Sequence, residues 1–557
     1  MRPRSIHLCF FALALCLVAS SAFAQAPDRQ LPTFERQWLP DPPKVRSLTS
    51  LQVEVQQASG QTATGAFYSF SVPDGWQPGD GLVIWNHGFD LNPIGPDPSL
   101  GPLVDVQLSQ GYAVAASSYS QIGWALFQSV EDMEQMYAAF ASQFGDPGPV
   151  FVYGASLGGA ITAQLIEEAD LGNVVGAMPI CGAVAGSRTW DGGLDVRLLY
   201  DLICSDVPGA AVPGGVTGLA FPPDPTFDDV ALATAVNICM GADLPARTPE
   251  QQARLDRFLA LTAIPQNFVT TDMFIATFGL FDLTFDPGKL AGAVGSENAE
   301  VDYGEADANT KVTRVSADPA ARERLLDNQV PSGKVGDVKI VSIHTDKDGL
   351  IIVENQTDYA AKVPAQNLSI GVIVEDTPTH CGFTDAETIA AWESLRGWVA
   401  GLPKPGAGDM QAACEQIVGG GLAAGPCRYD PNYVLGSYEA RVRPRAVCME
   451  TDTALCLADG RFRVEVTWTD FDGLDGVGTT VPQTTDTGAF WFFNAANLEM
   501  MIKVLDGRQS NGNFWVFYGS LTNVEFTLTV TDTITGEVKV YENPLGNFAS
   551  VGDTSAL

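Results

Sequence analysis

The chain is 557 residues long, 46% hydrophobic and 17% charged, with a formal net charge of −35 at pH 7. That is enough chain for two or more domains and a sizeable core. The acidic balance argues against nucleic acid or an anionic membrane as partner, because like charges repel, and otherwise reads as a solubilising surface.

Residues 1–24 have the pattern of a secretory signal. Arg2 and Arg4 precede the apolar run Leu8–Val18, and Ala22-Phe23-Ala24 supplies a small-x-small cleavage site before Gln25. The mature chain is then expected to be secreted or periplasmic. No later stretch reads as long and apolar enough to cross a membrane. Residues 25–50 are Pro-rich and polar, an N-terminal arm. Leu51–Gln57 alternates and reads as a strand, Ala66–Val72 as a second, and the continuous apolar run Gly81–Trp85 as a central third. A helix over Leu100–Gln110, a strand over Tyr112–Ala116 and an amphipathic helix over Val130–Phe144 follow. Val150–Tyr153 begins another strand and runs into Gly154-Ala155-Ser156-Leu157-Gly158, after which Gly159–Ala169 has helical spacing. Val174–Ile180 is the next strand. Strands alternating with helices predict a mostly parallel sheet covered on both faces.

The alternation stops over residues 183–336, which are rich in Gly, Pro and Phe and read as a lid inserted over the sheet. It resumes with the strands Val338–Ile343 and Leu368–Val374 and closes on a helix over Asp385–Ala400. Residues 51–402 are therefore read as one α/β unit and residues 403–428 as a linker. Residues 429–557 show about seven short alternating strands, such as Phe462, Val464, Val466 and Trp468, and predict an antiparallel β-sandwich.

Strand, sharp turn and helix is the setting in which G-x-S-x-G is a nucleophile elbow, with Ser156 at its tip. A serine needs a base, and the mature chain has three histidines: His87, His344 and His380. In the Ser–Asp–His chain order of this architecture the base follows the acid, which leaves His380. His87 reads as a residue that orders a turn and His344 as a strand-end residue. Asp346-Lys347-Asp348-Gly349 starts like a calcium loop but fails that pattern beyond it. Asp470, Asp472 and Asp475 read as a solvated acidic turn.

Residues of about 50–402 resemble the α/β-hydrolase fold of the esterase, lipase and prolyl-oligopeptidase-like group. Three stretches carry the resemblance: Gly154–Gly158, Asn86-His87-Gly88-Phe89, and His344-Thr345-Asp346-Lys347-Asp348-Gly349-Leu350. It implies Ser156 as nucleophile, Asp348 as acid and His380 as base, with an oxyanion hole from the Leu157 and Phe89 amides. Thr345 stands where that loop usually has glycine, the gap from Ser156 to Asp348 is long, and Asp346 is the alternative acid. Tyr119 and Trp124 follow the fourth strand and are expected to line a substrate pocket, with Phe127 a core residue or a further lining one.

Eight cysteines remain after the signal, an even number that favours disulfides in an exported chain. Cys414–Cys427 and Cys448–Cys456 are close in sequence. Of the pairings open to the other four, Cys181–Cys381 would brace the His380 loop and Cys204–Cys239 would staple the insertion. Metal spacing is absent. Tannases and feruloyl esterases carry a cysteine directly before the nucleophile, and Ala155 stands there in this chain. The C-terminal part, with Arg461–Trp468 and Phe490–Asn494, resembles a tail domain that recurs in bacterial exported proteins.

The expected activity is hydrolysis of a small-molecule or polymeric carboxylic ester through an acyl-enzyme, with no cofactor and no metal. A peptidase or amidase using the same triad, or an inactive surface-binding protein on the same fold, are the competing readings. The sequence fixes no oligomeric state.

Overall fold

A computed structural model describes residues 54–92, 95–213, 226–299, 301–327, 330–443, 448, 450–458, 460–533 and 537–557. The expected signal peptide and arm, and the start of the first expected strand, lie outside the described residues.

Eight strands form the first sheet: β1 (Val55–Gln61), β2 (Phe67–Pro73), β3 (Leu82–Asn86), β4 (Ala113–Ser117), β5 (Pro149–Ala155), β6 (Asn173–Ile180), β7 (Lys339–Thr345) and β8 (Leu368–Ile373). Their order is β1-β2-β4-β3-β5-β6-β7-β8. β2 is antiparallel to both its neighbours and every other pair is parallel. This is the α/β-hydrolase fold. β3 and β4 are buried at every residue, as continuous apolar runs require of strands covered on both faces. Alternation then sorts the side chains. Val83, Trp85, Phe151, Tyr153 and Val341 join the core under the helix Asp385–Val399. Leu82, Ile84, Val150, Val152 and Ile340 face the opposite core, which the inserted segment extends.

The insertion between β6 and β7 contributes helices joined by irregular segments. Its helices include Thr189–Cys204, Asp229–Met240, Pro249–Thr262 and Pro319–Asp327. Arg322 of the last reaches Asp191 of the first through two bonds of 2.7 and 3.0 Å. From Gln266 to Phe285 the chain coils without a break through a π-helical turn, Ile275–Gly279. Among the described residues this run alone is long and apolar enough to cross a membrane, contrary to the sequence expectation, and 78% of its apolar window is buried in the fold. Its hydrophobicity serves the core, and a membrane span is not supported.

The stretch read as a linker is structured. Helix Ala407–Gly419 buries Met410, Cys414 and Ile417, an i, i+4, i+7 stripe. The chain then returns along β8: Val374 N–H donates to Arg428 O, and Asp430 N–H to Val372 O. Pro403, Pro405 and their glycines mark a turn into this helix rather than a flexible tether.

The C-terminal region comprises β9 (Ala454–Leu457), β10 (Phe462–Thr469), β11 (Asp475–Val477), β12 (Thr479–Pro482), β13 (Thr487–Trp491), β14 (Met500–Asp506), β15 (Phe514–Ser520), β16 (Glu525–Asp532), β17 (Val538–Asn543) and β18 (Ser550–Asp553). They make two five-stranded antiparallel sheets, β11-β10-β16-β17 with β9 beside β10, and β12-β13-β14-β15-β18. Val464, Val466 and Leu528 from one sheet meet Phe490, Ile502 and Val516 from the other in one sandwich core. β9, β11, β12 and β18 are three or four residues long, too short to show alternation, which is why the sequence suggests fewer strands. Arg461 pairs with buried Asp532 and reaches Glu323 of the insertion at 3.2 Å, tying the sandwich to that helix.

Candidate active site

β5 delivers the chain into the elbow at Ser156, whose backbone is held at φ 58°, ψ −122°. A side-chain-bearing residue pays roughly 1–3 kcal/mol for such a conformation, so the surroundings must enforce it. They do so by close approach. A Cβ on Gly154 would lie 2.6 Å from Asn86 O, and one on Gly158 would drive into the same carbonyl and come within 2.7 Å of His87 O. The glycines of the pentapeptide let the turn nest against the end of β3. Helix Leu157–Glu168 starts directly after Ser156, so its first amides and dipole favour negative charge at the turn. Among the described residues neither Leu157 N–H nor Phe89 N–H donates a hydrogen bond, and both residues border the same cavity as Ser156.

Beyond β8, His380 Nδ1 is 2.7 Å from Asp348 Oδ2. Asp348 Oδ1 accepts the amides of Leu350 and Ile351 at 3.0 Å each, so both carboxylate oxygens are fixed. This arrangement keeps the proton on Nδ1 and leaves Nε2 as the basic nitrogen. Asp346 turns the other way, and its Oδ1 accepts from Glu375 N–H at the end of β8. Nε2 is in contact with Cys381 Sγ at 3.6 Å, and Cys381 is bonded to Cys181 at the end of β6 with a Cα separation of 5.4 Å. Cys181, Cys381, Ser156 and Tyr119 all have positive φ, so the carboxyl edge of the sheet collects most of the strained non-glycine backbone. The other three cysteine pairs are Cys204–Cys239, Cys414–Cys427 and Cys448–Cys456.

His87 Nδ1 bonds Gly88 O at 2.8 Å, and its ring stacks on Tyr119 at 4.3 Å. Tyr119 OH donates to His87 O. Burial lowers the His87 imidazole below its ordinary value, so the ring is a neutral brace for the turn that carries Phe89. Tyr119 is fully buried and does not border the cavity, so its place is behind the turn and not against a substrate. Phe127 packs against the core as a half-buried residue and is likewise absent from the cavity wall. Trp124 does border it, held by Nε1 donating to Ser187 Oγ and by an edge contact with Trp190. His344 is buried, with Nδ1 on Thr345 O, and burial lowers its affinity for protons too.

The cavity in front of Ser156 measures about 110 Å³. Its wall is mostly apolar, with Phe89, Leu157, Trp190, Ile275 and Leu350 among the lining residues. Thr262, Asp272 and Ile275 come from the insertion, and Arg441–Arg443 from the segment ahead of the sandwich. None of these carries a motif; only folding brings them to Ser156. Asp348, His380 and Cys381 form the single cluster among the described residues with metal-ligand proximity. Its sulfur is already spent in a disulfide and its carboxylate holds the imidazole, so the donor set does not suit a metal.

No family model matches the sequence, and no curated protein matches it. Among solved structures the chain is similar to an esterase of Pyrococcus furiosus, with 11% identity over 64% of this chain and 98% of that one and a TM-score of 0.31. It is also similar to a rice cell wall degrading esterase of Xanthomonas oryzae, with 14% identity over 61% and 89% and a TM-score of 0.34. A puromycin hydrolase aligns at 13% identity over 63% and 40%, with a TM-score of 0.32.

Proposed function

We propose that this chain, built on the α/β-hydrolase fold, is an exported serine hydrolase that cleaves carboxylic esters through an acyl-enzyme. The observations that carry the reading are the 2.7 Å His380–Asp348 bond and a serine held at φ 58° on a strand-to-helix elbow. Ser156 Oγ attacks the ester carbonyl while His380 Nε2 takes its proton, a contact that closes when substrate is bound. The carbonyl oxygen becomes an oxyanion facing the Leu157 and Phe89 amides, donors worth roughly 3–4 kcal/mol each in such sites. Collapse breaks the bond to the alcohol oxygen, which leaves with the proton from His380. Water then repeats the cycle on the acyl-enzyme and releases the acid. Four disulfides and the signal-like start of the chain support export to an oxidising compartment.

The test is hydrolysis of p-nitrophenyl esters of rising acyl length by wild type, Ser156→Ala and His380→Ala, with fluorophosphonate labelling alongside. Turnover lost in both variants is expected. Labelling of Ser156 without ester turnover would redirect the reading to amides or peptides. Absence of both would leave a non-catalytic binding protein.

A further inference from the structure

The cavity wall carries two carboxyls that the ester mechanism does not use, Asp195 and Asp272. Asp195 is engaged, its Oδ1 accepting from Tyr303 OH at 2.7 Å. Asp272 lies in the helix Val269–Phe274 of the insertion, is only 8% exposed, and borders the cavity that Ser156 opens into. Among the described residues its carboxyl makes no hydrogen bond, and Oδ2 is sealed from solvent without a partner. Trp190 Nε1, on the same wall, is a second sealed polar atom without a partner. Buried polar groups are nearly always satisfied, and an exception in a cavity wall points to a ligand that is absent.

The surroundings decide the protonation state. Burial and the nearby Asp348 charge push the Asp272 carboxyl well above the usual range, and Arg441 only partly opposes them. A sealed oxygen with no donor is tolerable as the carbonyl oxygen of a neutral acid and costly as part of an anion. The proton therefore belongs on Oδ1, the oxygen that is not sealed, which makes the carboxyl a hydrogen-bond donor in a wall that also carries Thr262, Arg441 and Arg443. The cavity's role follows from what it lacks. Ser156, Leu157 and Phe89 border it, whereas His380 does not. The leaving alcohol must sit at His380 to receive its proton, so the cavity houses the acyl side. At about 110 Å³ it is smaller than the ~150 Å³ site that holds a benzene, so the acyl chain is short.

We propose that Asp272 is the specificity-determining residue of this acyl cavity, donating a hydrogen bond to an oxygen acceptor carried on a short acyl chain. The preferred substrates are then esters of short oxygenated acids, with a hydroxyl, ether or keto oxygen, over plain alkanoates. This rests on the ester-hydrolase reading above.

The experiment compares kcat/KM on isosteric p-nitrophenyl ester pairs: methoxyacetyl with butyryl, 3-methoxypropanoyl with pentanoyl, and 4-oxopentanoyl with 4-methylpentanoyl. Each ratio is corrected for the uncatalysed hydrolysis of the same pair. Wild type should favour the oxygenated member of at least one pair by ~10-fold or more, since a donor left unpaired by the alkyl member is penalised. Asp272→Leu should bring that ratio to one or below, and Asp272→Asn, which keeps a donor, should retain most of it. Wild-type ratios of one on every pair overturn the proposal, as does a wild-type ratio surviving in Asp272→Leu. Loss of preference in Asp272→Asn as complete as in Asp272→Leu overturns the assignment of a donor. Ser156-dependent turnover with no oxygen preference would sink this proposal alone. No Ser156-dependent turnover on any ester would sink the ester reading and this proposal with it.

Discussion

Replacing Cys181 and Cys381 together removes a cross-link that joins the end of β6 to the residue after His380 across a sequence separation of 200. In the chain-entropy account a loop of that length restricts the unfolded chain by about 18 cal/mol/K, or about 5 kcal/mol at 25 °C. The native state offsets part of that gain, because Cys181 and Cys381 are held at φ 42° and 57°. Each such residue costs roughly 1–2 kcal/mol relative to its preferred backbone, a penalty glycine escapes at an entropic cost of about 0.5–1 kcal/mol. The double alanine variant should lose up to ~5 kcal/mol, and the double glycine variant should recover ~1–2 kcal/mol of it. Urea unfolding followed by tryptophan fluorescence reads the difference, since Trp85 and Trp392 are buried in the core that this bridge spans. In ester assays below the unfolding transition, kcat should fall while KM changes little, because the released strand end carries His380 and not the cavity wall. Equal midpoints and equal kcat for wild type and double alanine would refute the bracing role. A glycine pair no more stable than the alanine pair would refute the strain argument.

Three further outcomes follow from the same structure. Ser156→Gly should raise stability by ~1 kcal/mol by relieving φ 58°, ψ −122°, while abolishing turnover, as read by thermal unfolding beside ester hydrolysis. Arg322→Met removes the guanidinium that buried Asp191 meets at 2.7 and 3.0 Å and should cost up to ~3–5 kcal/mol in urea unfolding, with Asp191→Leu added in the double variant restoring part of it. His87 and His344 both bind protons less tightly folded than unfolded. Between the unfolded value near ~6.5 and their lowered native values the unfolded chain carries the extra protons, so stability falls as pH drops through that window, by up to ~1.4 kcal/mol per pH unit for each histidine. Stability measured from pH 7 downwards should flatten when either is replaced by glutamine, and an unchanged slope would refute the assignment.

The sheet is legible in the sequence because buried parallel strands must be continuous apolar runs. Leu82–Trp85 and Val150–Tyr153 mark themselves, and the G-x-S-x-G turn marks the point where strand gives way to helix. The helix Ala407–Gly419 was hidden by the Pro and Gly that precede it, although Met410, Cys414 and Ile417 carry its stripe. Tyr119 illustrates a different gap. Chain order puts it at the carboxyl edge of β4, but its direction depends on a φ of 53° and a stack on His87 that no spacing encodes.

Sequence alone determined the layers, the strand edge at which chemistry can occur, and the short set of residues able to supply a nucleophile and a base. These follow from period, turn chemistry and the scarcity of histidine, all local or countable properties. Tertiary structure alone decided that Asp348 and not Asp346 meets His380, since the two lie two residues apart and only the loop's path turns one inward. It also decided the cavity, whose wall draws on the turn after β3, the insertion, the Gly349–Ile352 loop and the Arg441–Arg443 segment. Those residues are separated by hundreds of positions, and nothing but the burial of the apolar faces between them brings them to one serine.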